Sequence, residues 1–335
     1  MNEISAPKVS IICAWYNRAD YIKDTVDGLL SQDFDDYEII IANDGSTDPN
    51  VKVILDGYDD PRLTVIHKEN EGFTKTIKML AEKAKAPYVA IQGAGDVSYA
   101  NRIAVQYQFL NDNERYCFVG CLSTNVVKKV GEPDVHLKEV QPICGEIEMD
   151  PERKRHPFVH GSVMFKKEEY LKIGGYRSIF KYAQDYDLFL RISRIGKCYN
   201  LDKVLYQTNV FPDGVATTPE RSLEQAMFVT LANRCYKHNL SFNIDPIEEF
   251  GGLALLLYSF GLKDKVAFYK TIIKFIFLKE YKKAEIFIGL SVGWPLACLL
   301  RFSISLVERN ELLGNFVRLA IKKLSHGTVF LKAND

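Results

Sequence analysis

The sequence predicts an α/β fold with a parallel sheet that is covered by helices on both faces. Four short apolar runs, rich in β-branched residues, have the length and composition of buried strands. They lie at residues 9–14, 38–42, 63–67 and 88–91. Apolar residues recur at helical spacing in the segments between them. Those segments lie at residues 22–32, 51–55 and 77–84. Strands that alternate with helices indicate βαβ crossovers, and such crossovers produce parallel strands.

The predicted sheet brings four polar or glycine-bearing loops to one edge. These loops follow the strands at residues 15–18, 43–48, 68–73 and 93–98. In open α/β sheets, ligands bind outside the carboxyl ends of the strands. We therefore expect the functional site at this edge.

The middle of the chain, residues 116–211, has a mixed pattern. Apolar runs occupy residues 118–122 and 159–165, and the spacing of apolar residues predicts a helix over 185–195. This part of the chain therefore adds further strands and one further helix to the α/β unit.

The C-terminal part of the chain predicts a separate helical region. Its pattern is helical almost throughout, so we predict an α/β domain over 1–218 and a helical region over 219–335. Residues 251–335 carry thirteen Lys and Arg against six Asp and Glu. The stretch 263–283 places apolar residues between seven lysines. It favours either a basic amphipathic helix at an anionic membrane surface or a helical surface that forms a dimer.

Composition excludes several classes of protein. Hydrophobic residues make up 47% and charged residues 26%, values that fit neither a disordered chain nor a multispan membrane protein. Because 43 basic residues balance 43 acidic ones, there is no global positive field to bind nucleic acid. Seven scattered cysteines without C-x-x-C spacing indicate reduced thiols in the cytoplasm and argue against a zinc site.

Two residues on neighbouring loops suggest a pocket for a nucleotide base. Tyr16 could supply the flat face that a uracil or thymine ring needs, and Asp44 could accept its N3 proton. An aspartate in a turn also commonly caps the following helix, and this alternative reading of Asp44 stays open.

The loop after the fourth predicted strand offers glycines and one carboxylate. Gly93, Ala94 and Gly95 precede Asp96. A divalent cation that bridges two phosphates needs carboxylate oxygens, and Asp96 is the only one in this loop. Backbone N–H groups of the glycine-rich segment could bind phosphate instead. The alternative to a binding role is a purely structural one, in which the loop is a tight turn that requires glycine.

Asp185 and Asp187 stand at the start of the predicted helix over 185–195. A carboxylate at a helix start is favoured by the helix dipole, whether or not it has a catalytic role. A carboxylate beside apolar walls is also suited to act as a general base.

Four motifs in order resemble the family 2 inverting glycosyltransferases. They are residues 9–12 with 16–17, residues 43–48, the turn 174–176 and residues 183–191. The resemblance implies a GT-A-type nucleotide-sugar-binding sheet flanked by helices, a nucleotide-diphosphate sugar donor and a divalent cation, Mn²⁺ or Mg²⁺. It also implies a general base at Asp185 and a metal ligand at Asp96. The residues expected to bind the nucleotide sugar are Ala14, Tyr16, Asn17, Asp44, Gly45, Lys75, Gly93, Ala94, Gly95 and His160.

The chain departs from the family pattern in three places. Asn43 stands before Asp44 where the family often has a second aspartate, and Gln184 stands before Asp185 where glutamate is common. Gly93 and Gly95 replace two aspartates of the usual metal motif. These glycines leave the cation expected at Asp96 short of ligands.

The resemblance predicts transfer of a sugar from a UDP- or dTDP-sugar to a hydroxyl of a glycan or a lipid-linked acceptor, with inversion. Because members of the family usually act in the synthesis of bacterial surface glycans, the resemblance implies a role in capsule or O-antigen synthesis. The alternatives are a non-catalytic nucleotide-sugar-binding subunit of a glycan assembly complex and a helical interaction module. We expect a cytoplasmic enzyme, either wholly free of the membrane or peripheral at the inner face of the plasma membrane. No nucleic acid partner is expected.

Overall fold

The computed structural model describes residues 6–128, 134–137, 143–150, 158–212, 219–251 and 315. The strands of these residues form one sheet. They are β1 Val9–Trp15, β2 Tyr37–Asp44, β3 Leu63–Lys68, β4 Tyr88–Ile91, β5 Val97–Ser98, β6 Tyr116–Val127, β7 Val135–Leu137, β8 Gly145–Ile147, β9 Met164–Lys166 and β10 Lys197–Val210. The helices are α1 Ile22–Leu30, α2 Pro49–Asp56, α3 Phe73–Lys83, α4 Arg102–Asp112, α5 Lys167–Lys172, α6 Gln184–Ile192, α7 Pro219–Phe242 and α8 Pro246–Phe250. Short 3-10 turns occupy Ala19–Tyr21 and His160–Ser162.

One half of the sheet is parallel, as predicted. Its strand order is β3-β2-β1-β4, and every pairing in it is parallel. All seven residues of β1 are buried, because helices cover both faces of this central strand and apolar β-branched side chains fill both contacts. The four strands predicted from apolar runs are therefore confirmed.

The other half of the sheet is mixed, which the sequence pattern did not indicate. β9 runs antiparallel to both β4 and β6, while β10 lies parallel to β6 and antiparallel to β5. β9 contains only Met164–Lys166, since the start of the predicted apolar run is the 3-10 turn at His160–Ser162. The helix predicted over 185–195 begins at Gln184 and ends at Ile192, where it closes in turns before Gly196.

The chain divides into two compact units. The first contains Met1–Thr217 and Gln225–Gly252, and the second contains Thr218–Glu224 and Leu253–Asp335. The boundary predicted at residue 218 stays a prediction, as does the role of the C-terminal region. The basic stretch over 263–283 lies outside the described residues. In the described part of the chain, no helix has both the length and the apolarity that crossing a bilayer requires.

Candidate active site

The candidate site lies at the carboxyl ends of the parallel strands. From β1 the chain continues to β2 on one side of the sheet, and it returns through β3 to β4 on the other side. The strand order therefore reverses between β1 and β4, and the loops that follow these two strands diverge there. A crevice at such a reversal is where open α/β sheets bind their ligands. The loops after β2 and β3 border the same edge, because Asp44 pairs with Lys68 at the ends of those strands.

Asp44 is buried and holds the loop between β3 and α3. Its Oδ1 accepts hydrogen bonds from Lys68 Nζ at 2.8 Å and Thr76 Oγ1 at 2.7 Å. The backbone N–H groups of Glu71 and Gly72 donate to the two carboxylate oxygens, each at 3.0 Å. Burial acts to raise the pKa of Asp44, but the bonds from Lys68, Glu71 and Thr76 outweigh it and the pKa lies below its ordinary value.

Asp44 does not cap α2, so the alternative of a simple helix cap is wrong. The cap is Asp48, whose side chain accepts from the N–H of Asn50. Oδ2 of Asp44 accepts only from Gly72 among the described contacts, and a carboxylate oxygen has two lone pairs. Asp44 therefore keeps acceptor capacity beside an ordered loop.

Asn17 and Gly45 shape the loops beside Asp44. The Asn17 side-chain oxygen accepts from the N–H groups of Thr47 at 2.9 Å and Asp48 at 3.2 Å. Gly45 has φ 63°, and a Cβ at this position would lie 2.5 Å from the backbone nitrogen of Asn70. Both residues therefore fix the loop after β2. Any residue other than glycine at position 45 would force the backbone near Asn70 to move.

Tyr16 presents an aromatic ring at this edge. Tyr16 as a residue is 46% exposed, whereas Ala14 is buried in β1. Lys75 is exposed on α3, one turn from the loop that Asp44 holds. A half-exposed ring and a buried carboxylate with acceptor capacity are the two groups that a pyrimidine pocket needs.

Asp96 lies at the bottom of the loop after β4. Oδ2 accepts from the Tyr206 hydroxyl at 2.9 Å, and Oδ1 accepts from the N–H of Asn209 at 2.8 Å. The N–H of Gly93 donates to the same Tyr206 oxygen at 2.9 Å. Burial raises the pKa of Asp96 to about 6 and outweighs the hydrogen bonds from Asn209 and Tyr206. The carboxylate is thus engaged in joining the glycine loop to β10.

The residues of this loop do not fit a divalent cation. A Cβ at Gly93 would lie 2.2 Å from Asp96 Oδ2, and a Cβ at Gly95 would lie 2.9 Å from the Phe211 ring. The loop is therefore shaped for glycines, and Asp96 is its only carboxylate. Among the residues that the structure describes, no three His, Cys, Asp or Glu side chains are grouped to hold a metal ion. Mn²⁺ and Mg²⁺ need several oxygen ligands, and this loop offers the carboxylate of Asp96 alone. The cation expected at Asp96 therefore stays a prediction.

Asp185 lies in the first turn of α6, after Ala183 with φ 56°. Its Oδ1 accepts from the N–H of Tyr186 at 2.8 Å. Tyr176 is buried, and its hydroxyl is hydrogen bonded to His160 Nε2 at 2.7 Å. Burial raises the pKa of Tyr176 well above its ordinary value, and the charges of Tyr170 and Asp185 raise it further. Tyr176 is therefore a neutral phenol that is hydrogen bonded to His160 and lies within the electrostatic influence of Asp185.

Contacts with α3 tie the Asp185 side of the site to the Asp44 side. Thr74 Oγ1 donates to the Phe180 carbonyl oxygen at 2.6 Å, which attaches the loop before α6 to the start of α3. The Phe73 ring meets the His160 ring edge to face, with centroids 5.6 Å apart. Because Asp44 holds the backbone just before α3, one element positions residues from both ends of the predicted site.

Asp187, the second aspartate of α6, lies in a buried network of ion pairs that sequence reasoning missed. Its side chain is 2% exposed and lies between two arginines. Arg191 donates to Oδ2 from Nε at 3.0 Å and from Nη2 at 2.7 Å, and Arg177 donates to both oxygens. Arg177 also bonds Asp245, the N-cap of α8, at 2.8 Å. The i,i+4 spacing of Asp187 and Arg191 was the available signal.

The chain belongs to glycosyl transferase family 2, whose model matches residues 10–181. It is 28% identical over 244 residues to EpsE of Bacillus subtilis, whose name gives a proposed glycosyltransferase activity. That match covers 71% of this chain and 86% of EpsE. The chain is also 27% identical over 314 residues to the chondroitin synthase of Pasteurella multocida, covering 91% of this chain and 31% of the synthase.

Solved structures show the same fold. TarS 1–349 of S. aureus in complex with UDP-GlcNAc has a TM-score of 0.55 at 15% identity, and the match covers 96% of this chain and 93% of that one. The mannosyltransferase PcManGT of Pyrobaculum calidifontis, in complex with GDP-Man and Mn²⁺, has a TM-score of 0.53 at 16% identity. That match covers 97% and 90% of the two chains. The predicted GT-A fold and family are confirmed.

Proposed function

We propose that the protein transfers a sugar, with inversion, from a UDP- or dTDP-sugar to a hydroxyl group of a glycan or lipid-linked acceptor. The observation that carries this proposal is the link through α3, which joins the loop held by Asp44 to the loop that leads to Asp185. The Asp44 end of this arrangement offers a pocket for a nucleotide base, and the Asp185 end offers a carboxylate at the start of a helix.

The donor assignment rests on Tyr16 and Asp44. The half-exposed Tyr16 ring can stack on a pyrimidine, and Asp44 Oδ2 can accept the N3 proton of uracil or thymine. Several fixed donors keep Asp44 ionised, which makes it a strong acceptor. Gly45, Asn17 and Ala14 give the pocket its backbone shape, and Lys75 lies on the exposed side of α3 near the entrance.

Asp185 is the general base in this proposal. In a single displacement, the acceptor oxygen forms a bond to the anomeric carbon while the bond from that carbon to the diphosphate breaks. Asp185 takes the acceptor proton, and the leaving nucleotide takes the electron pair. His160, which is hydrogen bonded to the buried Tyr176 hydroxyl at 2.7 Å, is the residue that we propose to orient the acceptor.

The relatives support a bacterial surface glycan as the acceptor class. One is named a chondroitin synthase, and a second relative from Pasteurella multocida is named a hyaluronan synthase. Both names describe polymers of sugars. We therefore propose a reaction in capsule or O-antigen synthesis. From the sequence alone, we further propose a cytoplasmic location, with the basic C-terminal region at the membrane surface or in a dimer.

The test of the reaction is Asp185→Asn. The amide is nearly isosteric and cannot accept the acceptor proton, so turnover should fall by about 10²- to 10⁴-fold. Nucleotide affinity and melting temperature should change little. The assay measures UDP or dTDP release from a panel of nucleotide sugars with glycan acceptors. Asp24→Asn, on the exposed face of α1, removes the same charge and should have wild-type turnover.

A glycosyltransferase and a non-catalytic nucleotide-sugar-binding subunit give different results in this assay. Near-normal turnover in Asp185→Asn would refute the assignment of the base. Nucleotide binding without sugar transfer in the wild-type protein, for every donor and acceptor tested, would favour the alternative of a non-catalytic nucleotide-sugar-binding subunit. The glycines at positions 93 and 95 are the observation that keeps this alternative open.

A further inference from the structure

A cationic side chain, that of Arg18, lies where the strand order reverses. Arg18 follows β1, and the loop of Gly93 to Asp96 follows β4, so they border the crevice from its two sides. A ligand that spans this crevice therefore meets both. In a nucleotide sugar, the diphosphate is the part between the base and the sugar, and it carries the negative charge.

Arg18 is fixed over the glycine loop. Its guanidinium carbon lies 4.0 Å from the centroid of the Phe211 ring, and Nη1 donates to the Ala94 carbonyl oxygen at 3.2 Å. The Phe211 ring packs edge to face on Tyr21, with centroids 4.7 Å apart. Arg18 and the preceding Asn17 both have positive φ, 61° and 55°, a backbone conformation that residues other than glycine and asparagine rarely adopt. The guanidinium is thus held in place by a strained loop and a stacked ring.

The ring that supports Arg18 also fills the space beside Gly95. A Cβ at Gly95 would lie 2.9 Å from Phe211, so this support and an aspartate side chain at position 95 exclude each other. The chain therefore has a guanidinium above the loop where the family pattern has carboxylates.

Two guanidinium groups, those of Arg18 and Arg102, act on Asp96. Arg102 is fully buried beneath the loop, with its guanidinium carbon 4.9 Å from the Tyr206 ring centroid, and Tyr206 binds Asp96. Two guanidinium groups near one carboxylate favour an anionic ligand over a dication.

We infer that Arg18 binds the diphosphate of the donor in this chain, and that the nucleotide sugar binds without a divalent cation. The inference rests on the proposed function. A guanidinium presents several N–H donors in a plane and binds two phosphate oxygens at once. When the bond to the anomeric carbon breaks, the leaving diphosphate gains the electron pair, and the fixed positive charge of Arg18 stabilises it.

The test is calorimetry of the full chain with whichever of UDP and dTDP binds more tightly, and with the matching nucleoside. Each titration is done with EDTA and with Mn²⁺. The wild-type protein should bind the nucleotide in EDTA. Arg18→Ala should weaken nucleotide binding roughly ten- to hundredfold and leave nucleoside affinity unchanged, because the nucleoside has no phosphate. Arg18→Lys keeps the charge without the stacked plane and should lose less.

Arg115→Ala is the matched control. Its guanidinium carbon also lies over an aromatic ring, 4.8 Å from the Tyr116 centroid, but at the amino end of β6 and away from the crevice. This variant should bind nucleotide and nucleoside like the wild type. The control separates loss of a particular contact from loss of one positive charge.

Three outcomes overturn the inference in different ways. Nucleotide binding that requires Mn²⁺ would refute it and leave the proposed function intact. An equal loss of nucleotide and nucleoside affinity in Arg18→Ala would reduce Arg18 to a structural residue of the loop. If neither nucleotide nor nucleoside binds in EDTA or in Mn²⁺, the proposed donor class is wrong, and this inference is wrong with it.

Discussion

Asp187→Asn should destabilise the protein without a selective effect on catalysis. Asp187 is 2% exposed and pairs with Arg177 and Arg191, whose side chains are 11% and 10% exposed. Removing one partner of a buried ion pair costs about 3 to 5 kcal/mol, because the remaining charge stays buried. Here Arg177 keeps its bond to Asp245, and Arg191 keeps the carbonyl oxygens of Ile173 and Gly175. We therefore expect the lower end of that range, about 3 kcal/mol.

For a unit of this size, about 3 kcal/mol corresponds to a fall of roughly 6 to 12 °C in Tm. The measurements are urea unfolding, thermal melting and turnover per folded molecule. Asp24→Asn, which removes an exposed charge, should stay within about 0.5 kcal/mol of the wild type. In a double-mutant cycle, Arg191→Met should recover part of the loss in Asp187→Asn, since it removes a stranded charge. A stable Asp187→Asn protein with greatly reduced turnover would refute this reasoning and give Asp187 a catalytic role.

Two further predictions concern Asp96 and the C-terminal region. Burial raises the pKa of Asp96 to about 6 in the folded protein, so between about pH 4 and pH 6 the folded state holds a proton that the unfolded chain has lost. The free energy of unfolding should therefore fall as pH rises through this window, by on the order of 3 kcal/mol, and Asp96→Asn should remove that part of the pH dependence. Urea unfolding of both proteins at several pH values checks this, and parallel pH profiles would contradict it. The intact chain should sediment with anionic liposomes and be released when salt rises from about 0.05 M to about 0.5 M, whereas a chain that ends at Gly251 should not sediment. A chain that ends at Gly251 keeps Asp245 and α8. If the intact chain forms a dimer and never sediments with liposomes, the C-terminal region has a role in oligomerisation instead.

The local sequence pattern was sufficient to predict half of the sheet. Buried strands of β-branched residues and helices of 3.6-residue period leave their signal within a few neighbouring positions. The crossover rule then makes the four strands parallel and places their loops at one edge. For this reason the sequence alone predicted the parallel strands and the family, both of which are confirmed, whereas the site at the carboxyl ends of those strands stays a prediction. In the mixed half, the apolar runs at 118–122 and 159–165 overlap β6 and β9, but the pattern did not indicate strand direction, because the antiparallel pairing of β9 with β4 and β6 depends on contacts between distant parts of the chain.

Tertiary structure decided what the candidate residues contact. Tyr206 and Asn209 reach the glycine loop from more than a hundred positions along the chain, and they engage Asp96 there. Phe211 supports Arg18 and fills the space beside Gly95 in the same way. Sequence spacing contains no information about such pairs, since they depend on how β10 packs against β5 and β6 at the end of the sheet.

The two aspartates of α6 illustrate the same division. The sequence placed both at a helix start, where the dipole favours either one. Their separation by two residues turns the side chains toward different faces of the helix, and only the fold determines what each face meets. Asp187 meets two arginines, one of which is tied to Asp245 in a helix that follows much later in the chain. Asp185 accepts a hydrogen bond from the N–H of Tyr186, and its charge acts on the buried Tyr176. Long-range packing therefore decides which of the two carboxylates is buried among arginines, and the catalytic role of Asp185 stays a prediction.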